Sequence, residues 1–112
     1  MLACRRYLQL RRYRSHRRGL SSAGPPVVLV SRNLAYKVRA RVSVIEVTTR
    51  ARGLETEVPL GTREGLSKTC WGNADNIATI DKTWLEARIG ALGREKMKRL
   101  DRALGLALGL HG

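Results

Sequence analysis

From Val27 onward the chain alternates between short apolar runs and polar turns with a period near two, and only beyond residue 80 does the spacing lengthen to that of a helix. The run Val27-Val28-Leu29-Val30 is short and rich in β-branched residues, as expected of a strand buried on both faces. Pro26 can open it, because a missing amide hydrogen costs little at a first strand position. Residues 41–48 read as a second strand, with Val42, Val44 and Glu46 on one face and Ser43, Ile45 and Val47 on the other. Apolar residues on both faces predict a strand that meets core on one side and a helix or a second subunit on the other. Residues 55–60 form a third, more exposed strand, and short strands are expected around 69–71 and 77–80. Residues 72–76 between them read as a turn, and Tyr7-Leu8-Gln9-Leu10 offers one further, weak strand. Short strands at this spacing predict a small barrel.

The last third changes period. Asp81 can cap a short helix carrying Trp84, Leu85 and Ile89, with Gly90 as its stop. A second helix is expected from Arg94 to Leu108, turning Met97, Leu100, Leu104 and Ala107 or Leu108 to the core and Glu95, Lys98, Arg99 and Arg102 to solvent. Gly105 costs this helix about 1 kcal/mol relative to Ala, which predicts tight packing against the barrel. The fold class is therefore mostly β with C-terminal helices. A patterned domain spans residues 25–112, behind a basic arm or atypical first-strand region at 1–24.

Composition sharpens this picture. A chain of 112 residues supports one modest core, and with three Tyr, two Trp and no Phe that core rests on Val, Ile, Leu and Ala. The net charge of +13 is concentrated near the start: residues 1–45 hold 11 Lys and Arg and no acid, whereas residues 46–112 hold 11 bases and all nine acids. Such a field attracts polyphosphate chains, anionic membrane surfaces or acidic proteins. No apolar run approaches the ~20 residues that cross a bilayer, so no membrane-spanning segment is expected. Cys4 and Cys70 have no paired spacing and read as free thiols of a reducing cytoplasm. The Arg-, Leu- and Ser-rich start fits an organellar transit peptide, a disordered basic arm or sequence upstream of the true start, and these stay open.

The chemistry available is narrow. His16 lies in the arm and His111 beside the terminus, so a histidine pair within the domain is not expected. Asp75 and Asp81 are the nearest approach to an acidic pair, and Asp81 is more simply a cap. No Gly-rich phosphate loop precedes a helix. Metal sites and cofactors are therefore not expected. What remains is Arg, Thr, Ser and Asn, and residues 47–52 (Val-Thr-Thr-Arg-Ala-Arg) gather that content at a strand end. RNA brings its own nucleophile, the 2′-hydroxyl. A protein cleaving it needs to orient that group and to stabilise the charged phosphorane with guanidinium and hydroxyl donors.

Four blocks along the chain resemble one family. Residues 27–33 (Val-Val-Leu-Val-Ser-Arg-Asn) are similar to the second strand of the MazF/PemK toxins, with its polar ending. Residues 48–58 (Thr-Thr-Arg-Ala-Arg-Gly-Leu-Glu-Thr-Glu-Val) resemble the family's T-T-x-x-R-G-L-x-T-E-V block, and residues 73–82 its N-x-D-N-I-x-T-I-x-K block. Residues 85–89 and 104–110 are similar to its helices. The resemblance implies an SH3-like or CcdB-like barrel and a homodimer in the bacterial cytoplasm. It implies a toxin endoribonuclease (an mRNA interferase) that cleaves single-stranded RNA at short motifs without metal, leaving a 2′,3′-cyclic phosphate and a 5′-hydroxyl. A cognate antitoxin with an acidic, partly disordered tail would neutralise it. On the same footing Thr48 is the catalytic residue, and Ser31, Arg32, Asn33, Thr49, Arg50, Arg52 and Asn76 are expected to bind RNA. One departure matters: the family carries Arg before the Pro of its R-P-V-x-V strand, and this sequence has Pro25 there. Its usual first strand, R-G-E followed by an aliphatic and an aromatic residue, is also missing after Arg18-Gly19. Arg17, Arg18 or Arg50 would have to replace the missing guanidinium. Otherwise the protein is a nuclease-dead relative that binds RNA or sequesters antitoxin. A third reading is a protein-binding toxin on the same barrel, acting on gyrase.

Overall fold

The computed structural model describes residues 9–13, 25–31 and 37–110. Among the described residues, six strands form one antiparallel sheet: β1 (Gln9–Tyr13), β2 (Pro26–Leu29), β3 (Arg41–Thr48), β4 (Glu57–Leu60), β5 (Cys70–Asp81) and β6 (Leu85–Ala91), and the α-helix α1 (Arg94–Ala107) follows β6. Their spatial order is β4-β5-β3-β2-β1-β6. Edges β4 and β6 do not pair. Instead the 3-10 turn Thr62–Glu64 after β4 packs against β6, so the sheet is a half-barrel bridged by a turn. The expected barrel takes this form.

Alternation along β3 explains why both sheet faces are covered. Ile45 and Val47 join Leu10, Val28, Val58, Leu60 and Cys70 in a core closed by Leu100 and Ala103 of α1. Val42 and Val44 face the other way and pack with Val27, Leu29 and Ile80 beneath Tyr13, Trp84 and Leu85. The Tyr13 and Trp84 rings lie 5.9 Å apart and tilted by 49°. Each such buried aliphatic side chain contributes about 1.5–3 kcal/mol.

Helix α1 presents the expected stripe, with Leu100 and Ala103 buried and Met97, Leu104 and Ala107 partly so. Leu108 lies outside the helix and is exposed. The Lys96 ammonium donates to the Pro59 carbonyl and ties α1 to β4. Gly105 has a different neighbour from the one expected: a Cβ there would meet the Leu110 carbonyl oxygen at 3.1 Å, not the sheet. The chain folds back after the left-handed Gly109, and the Leu110 amide donates to Gly105 at 2.7 Å.

Four expectations need correction. Residues 85–89 are strand β6, not helix, because they pair with β1 in the register Tyr13–Leu85 and Arg11–Arg88. Asp81 does cap, accepting from the Thr83 amide at 3.0 Å, but it caps a single 3-10 turn, Lys82–Trp84. The turn read at 72–76 lies inside one long strand: β3 pairs Ile45 with Ile77 and then Glu46 with Asn73, so residues 74–76 bulge out of β5. Strand 55–60 is also less exposed than its composition suggests, since Glu57, Val58 and Leu60 are buried.

Candidate active site

The end of β3 brings most of the polar candidates together. Thr48 closes the strand opposite Trp71 of β5 and is half-buried. Its Oγ1 accepts a hydrogen bond from the Arg50 amide at 3.1 Å, which leaves the hydroxyl hydrogen to donate elsewhere. Thr49, Arg50 and Arg52 follow on the exposed loop to β4. Asn76 is exposed on the β5 bulge, which sits between the Ile45 and Glu46 pairings and so next to the same strand end.

Ser31 is not with them. Its hydroxyl accepts from the Ser43 amide at 2.8 Å, which places it five residues back along β3, roughly 16 Å from Thr48 at strand rise. Arg32 and Asn33 lie outside the described residues, as do Arg17 and Arg18.

Pro25 precedes β2 at the Thr48 end of the sheet, because β2 runs antiparallel to β3 with Val27 opposite Glu46. It is exposed, and its carbonyl accepts from the Tyr13 amide at 3.0 Å. On its other side β1 sets Arg12 opposite Pro26 and Arg11 opposite Val27. Sequence reasoning missed these two arginines, because their strand carried only a weak apolar signal. Arg11 is committed locally: Nε donates to the Glu86 carbonyl at 2.6 Å and Nη1 to the Gln9 amide oxygen at 2.9 Å.

The loop from Thr48 to β4 owes its shape to a residue that sequence reasoning also passed over. The Glu57 carboxylate accepts from three consecutive amides: Arg52 (3.1 and 3.0 Å to its two oxygens), Gly53 (3.0 Å) and Leu54 (3.1 Å). The Arg52 amide does most to hold the Glu57 carboxyl below its ordinary range, against the opposing effect of desolvation, with the Leu54 and Gly53 amides and the Arg52 charge adding to it. The Glu57 amide in turn donates to the Leu54 carbonyl at 3.1 Å. Thr56 pins the far end of the loop to the β5 bulge, through its hydroxyl to Asp75 at 2.6 Å and its carbonyl to the Ala74 amide at 2.9 Å. The sequence signals were the glycine at 53 and an acid four residues later.

Asp81, by contrast, is a structural carboxylate. The Thr83 amide and then its hydroxyl hold it below its ordinary range, against desolvation and with a further contribution from the Arg41 charge. Among the described residues, no group of three or more His, Cys, Asp and Glu lies together to hold a metal ion, and no helix is long and apolar enough to cross a membrane.

Residues 15–108 match the family model of the PemK-like, MazF-like toxins of type II toxin-antitoxin systems. Endoribonuclease MazF4 of Mycobacterium tuberculosis is 34% identical over 95 residues, spanning 85% of this chain and 89% of the relative. The structure of Mycobacterium tuberculosis toxin MazF-mt6 superposes with a TM-score of 0.82 at 28% identity, covering 93% of this chain and 99% of the other. A mycobacterial endoribonuclease in complex with its cognate antitoxin superposes with a TM-score of 0.74 at 29% identity, covering 99% of both chains.

Proposed function

The chain belongs to the PemK-like, MazF-like toxins of type II toxin-antitoxin systems, and on that premise we propose that it is an endoribonuclease that cleaves single-stranded RNA without metal. The observation that carries this reading is the fixed Thr48 hydroxyl, held by the Arg50 amide at an open strand end beside the exposed Arg50 and Arg52. The 2′-hydroxyl of the RNA attacks the adjacent phosphorus and gives up its proton, the bond to the 5′-oxygen of the next nucleotide breaks as that oxygen takes up a proton, and the products are a 2′,3′-cyclic phosphate and a 5′-hydroxyl. Thr48 donates to a phosphate oxygen as charge builds on the phosphorane, and the guanidiniums of Arg50 and Arg52 draw the backbone in. Thr49 and Asn76, exposed at the same end, contact flanking nucleotides. The protein works as a homodimer in the bacterial cytoplasm, and an antitoxin with an acidic tail occupies the same basic surface.

The test is cleavage of a defined single-stranded RNA in EDTA, with the product ends mapped. Cleavage should survive chelation and stop when the 2′-hydroxyl at the scissile position is replaced by hydrogen. Loss of activity in EDTA with recovery on adding magnesium would overturn the mechanism. Pro25 favours a second reading, a toxin relative that binds RNA or antitoxin without cleaving, since it puts a residue with no donor at the Thr48 end of the sheet.

A further inference from the structure

Glu57 is an acid beside a surface built for a polyanion, and it is buried. Burial of a carboxylate is costly unless its oxygens are satisfied. Here three successive amides satisfy them, an anion-binding nest filled by the protein's own side chain. Gly53 makes the nest geometrically possible. Its φ of +76° turns the neighbouring amides to one side, and a Cβ at that position would have nothing within 4 Å, so glycine is required there by its dihedral and not by space. The loop is thus staked at three places: Arg50 on Thr48, residues 52–54 on Glu57, and Thr56 on the β5 bulge.

We propose that Glu57 is a positioning residue for RNA cleavage: by gathering the amides of Arg52, Gly53 and Leu54 it holds the loop in the shape that lets the Arg50 amide fix the Thr48 hydroxyl. This rests on Thr48 being the phosphate donor. The carboxylate is needed as such. The Arg52 amide lies within reach of both oxygens, and a glutamine would set one of its own donors against the nest. An aspartate is one methylene too short. Misplacing a transition-state donor slows the chemical step, whereas RNA affinity draws on basic groups spread over the surface, so the effect falls on kcat and not on KM.

The experiment uses the full chain with Glu57→Gln, and a second pair of variants, Gly53→Ala and Gly53→Asn, since Asn tolerates the left-handed region that Ala avoids. Thermal melting, single-turnover cleavage of a defined RNA, and NMR exchange of the amides at 52, 53 and 54 are measured on each. Glu57→Gln should lower kcat by about 10- to 100-fold and leave KM within about twofold. The three amides should exchange faster. Gly53→Ala should share the loss of kcat and Gly53→Asn should largely escape it. A folded Glu57→Gln protein with wild-type kcat, or with a change confined to KM, overturns the proposal. If Glu57→Gln does not fold, equal wild-type kcat in both Gly53 variants overturns it instead. Should the wild type itself fail to cleave, the nuclease reading is what fails. Exchange then decides the loop, and amides at 52–54 unprotected in the wild type would overturn the role of Glu57.

Discussion

Gly90 and Glu64 meet backbone to backbone: a Cβ placed on Gly90 would lie 2.0 Å from the Glu64 carbonyl oxygen and 2.9 Å from its carbon. Through this contact the turn after β4 reaches β6 and bridges the two edges of the sheet. Neither side has room to relax. Glu64 is buried, its carboxylate accepts from the Gly61 amide at 2.6 Å, and the following Gly65 is left-handed at φ +98°.

Gly90→Ala should therefore destabilise the fold by about 1–3 kcal/mol or more, the range for forcing atoms into a packed site. Gly93→Ala, where an added Cβ meets nothing within 4 Å, should change stability by no more than about 0.5 kcal/mol. Urea unfolding of the two variants checks this. Equal midpoints would show that the half-barrel does not depend on the bridge.

Thr48→Val keeps the shape of the side chain and removes the hydroxyl. The variant should fold as the wild type does, losing only the acceptor for the Arg50 amide. Cleavage should fall by ~100-fold, the scale of removing one transition-state donor. Single-turnover rates on a defined RNA are the measurement, and unchanged cleavage by the folded variant would remove Thr48 from the mechanism.

Pro25→Arg tests the departure from the family pattern. A guanidinium at the Thr48 end of the sheet can meet the charge that develops on the phosphorane, whereas Pro offers no donor from side chain or backbone. The substitution should raise the cleavage rate by ~10-fold or more with little change in RNA affinity. The Pro25 carbonyl, which holds Tyr13, is kept. If the wild type already cleaves fast and Pro25→Arg leaves that rate unchanged, another cation has taken the role and the nuclease-dead reading is discarded. Arg50, Arg17 and Arg18 are the next residues to replace.

The sequence by itself determined whatever depends on local period and on the series of family blocks. β3 runs over Arg41–Thr48 as its alternation predicts, β2 begins at Pro26, and α1 starts at Arg94 with its apolar stripe inward. The Thr48–Arg52 segment stood out as a candidate for phosphate chemistry because its residue types are few and adjacent. Extended backbone is different, since its hydrogen-bond partners come from elsewhere in the chain. Leu85 and Ile89, four apart, read as one helix face, and only pairing with β1 makes that segment a strand. β1 is polar and basic, and it is a strand because it lies between β2 and β6. Two short strands and a turn became one bulged β5 once β3 supplied a continuous ladder. Glu57 looked like a charge on a more exposed strand, and its burial makes sense only when the loop folds three amides onto it. Tertiary structure decided these points because a carboxylate or a strand is stabilised by the partners it finds, and those partners are not its neighbours in sequence alone.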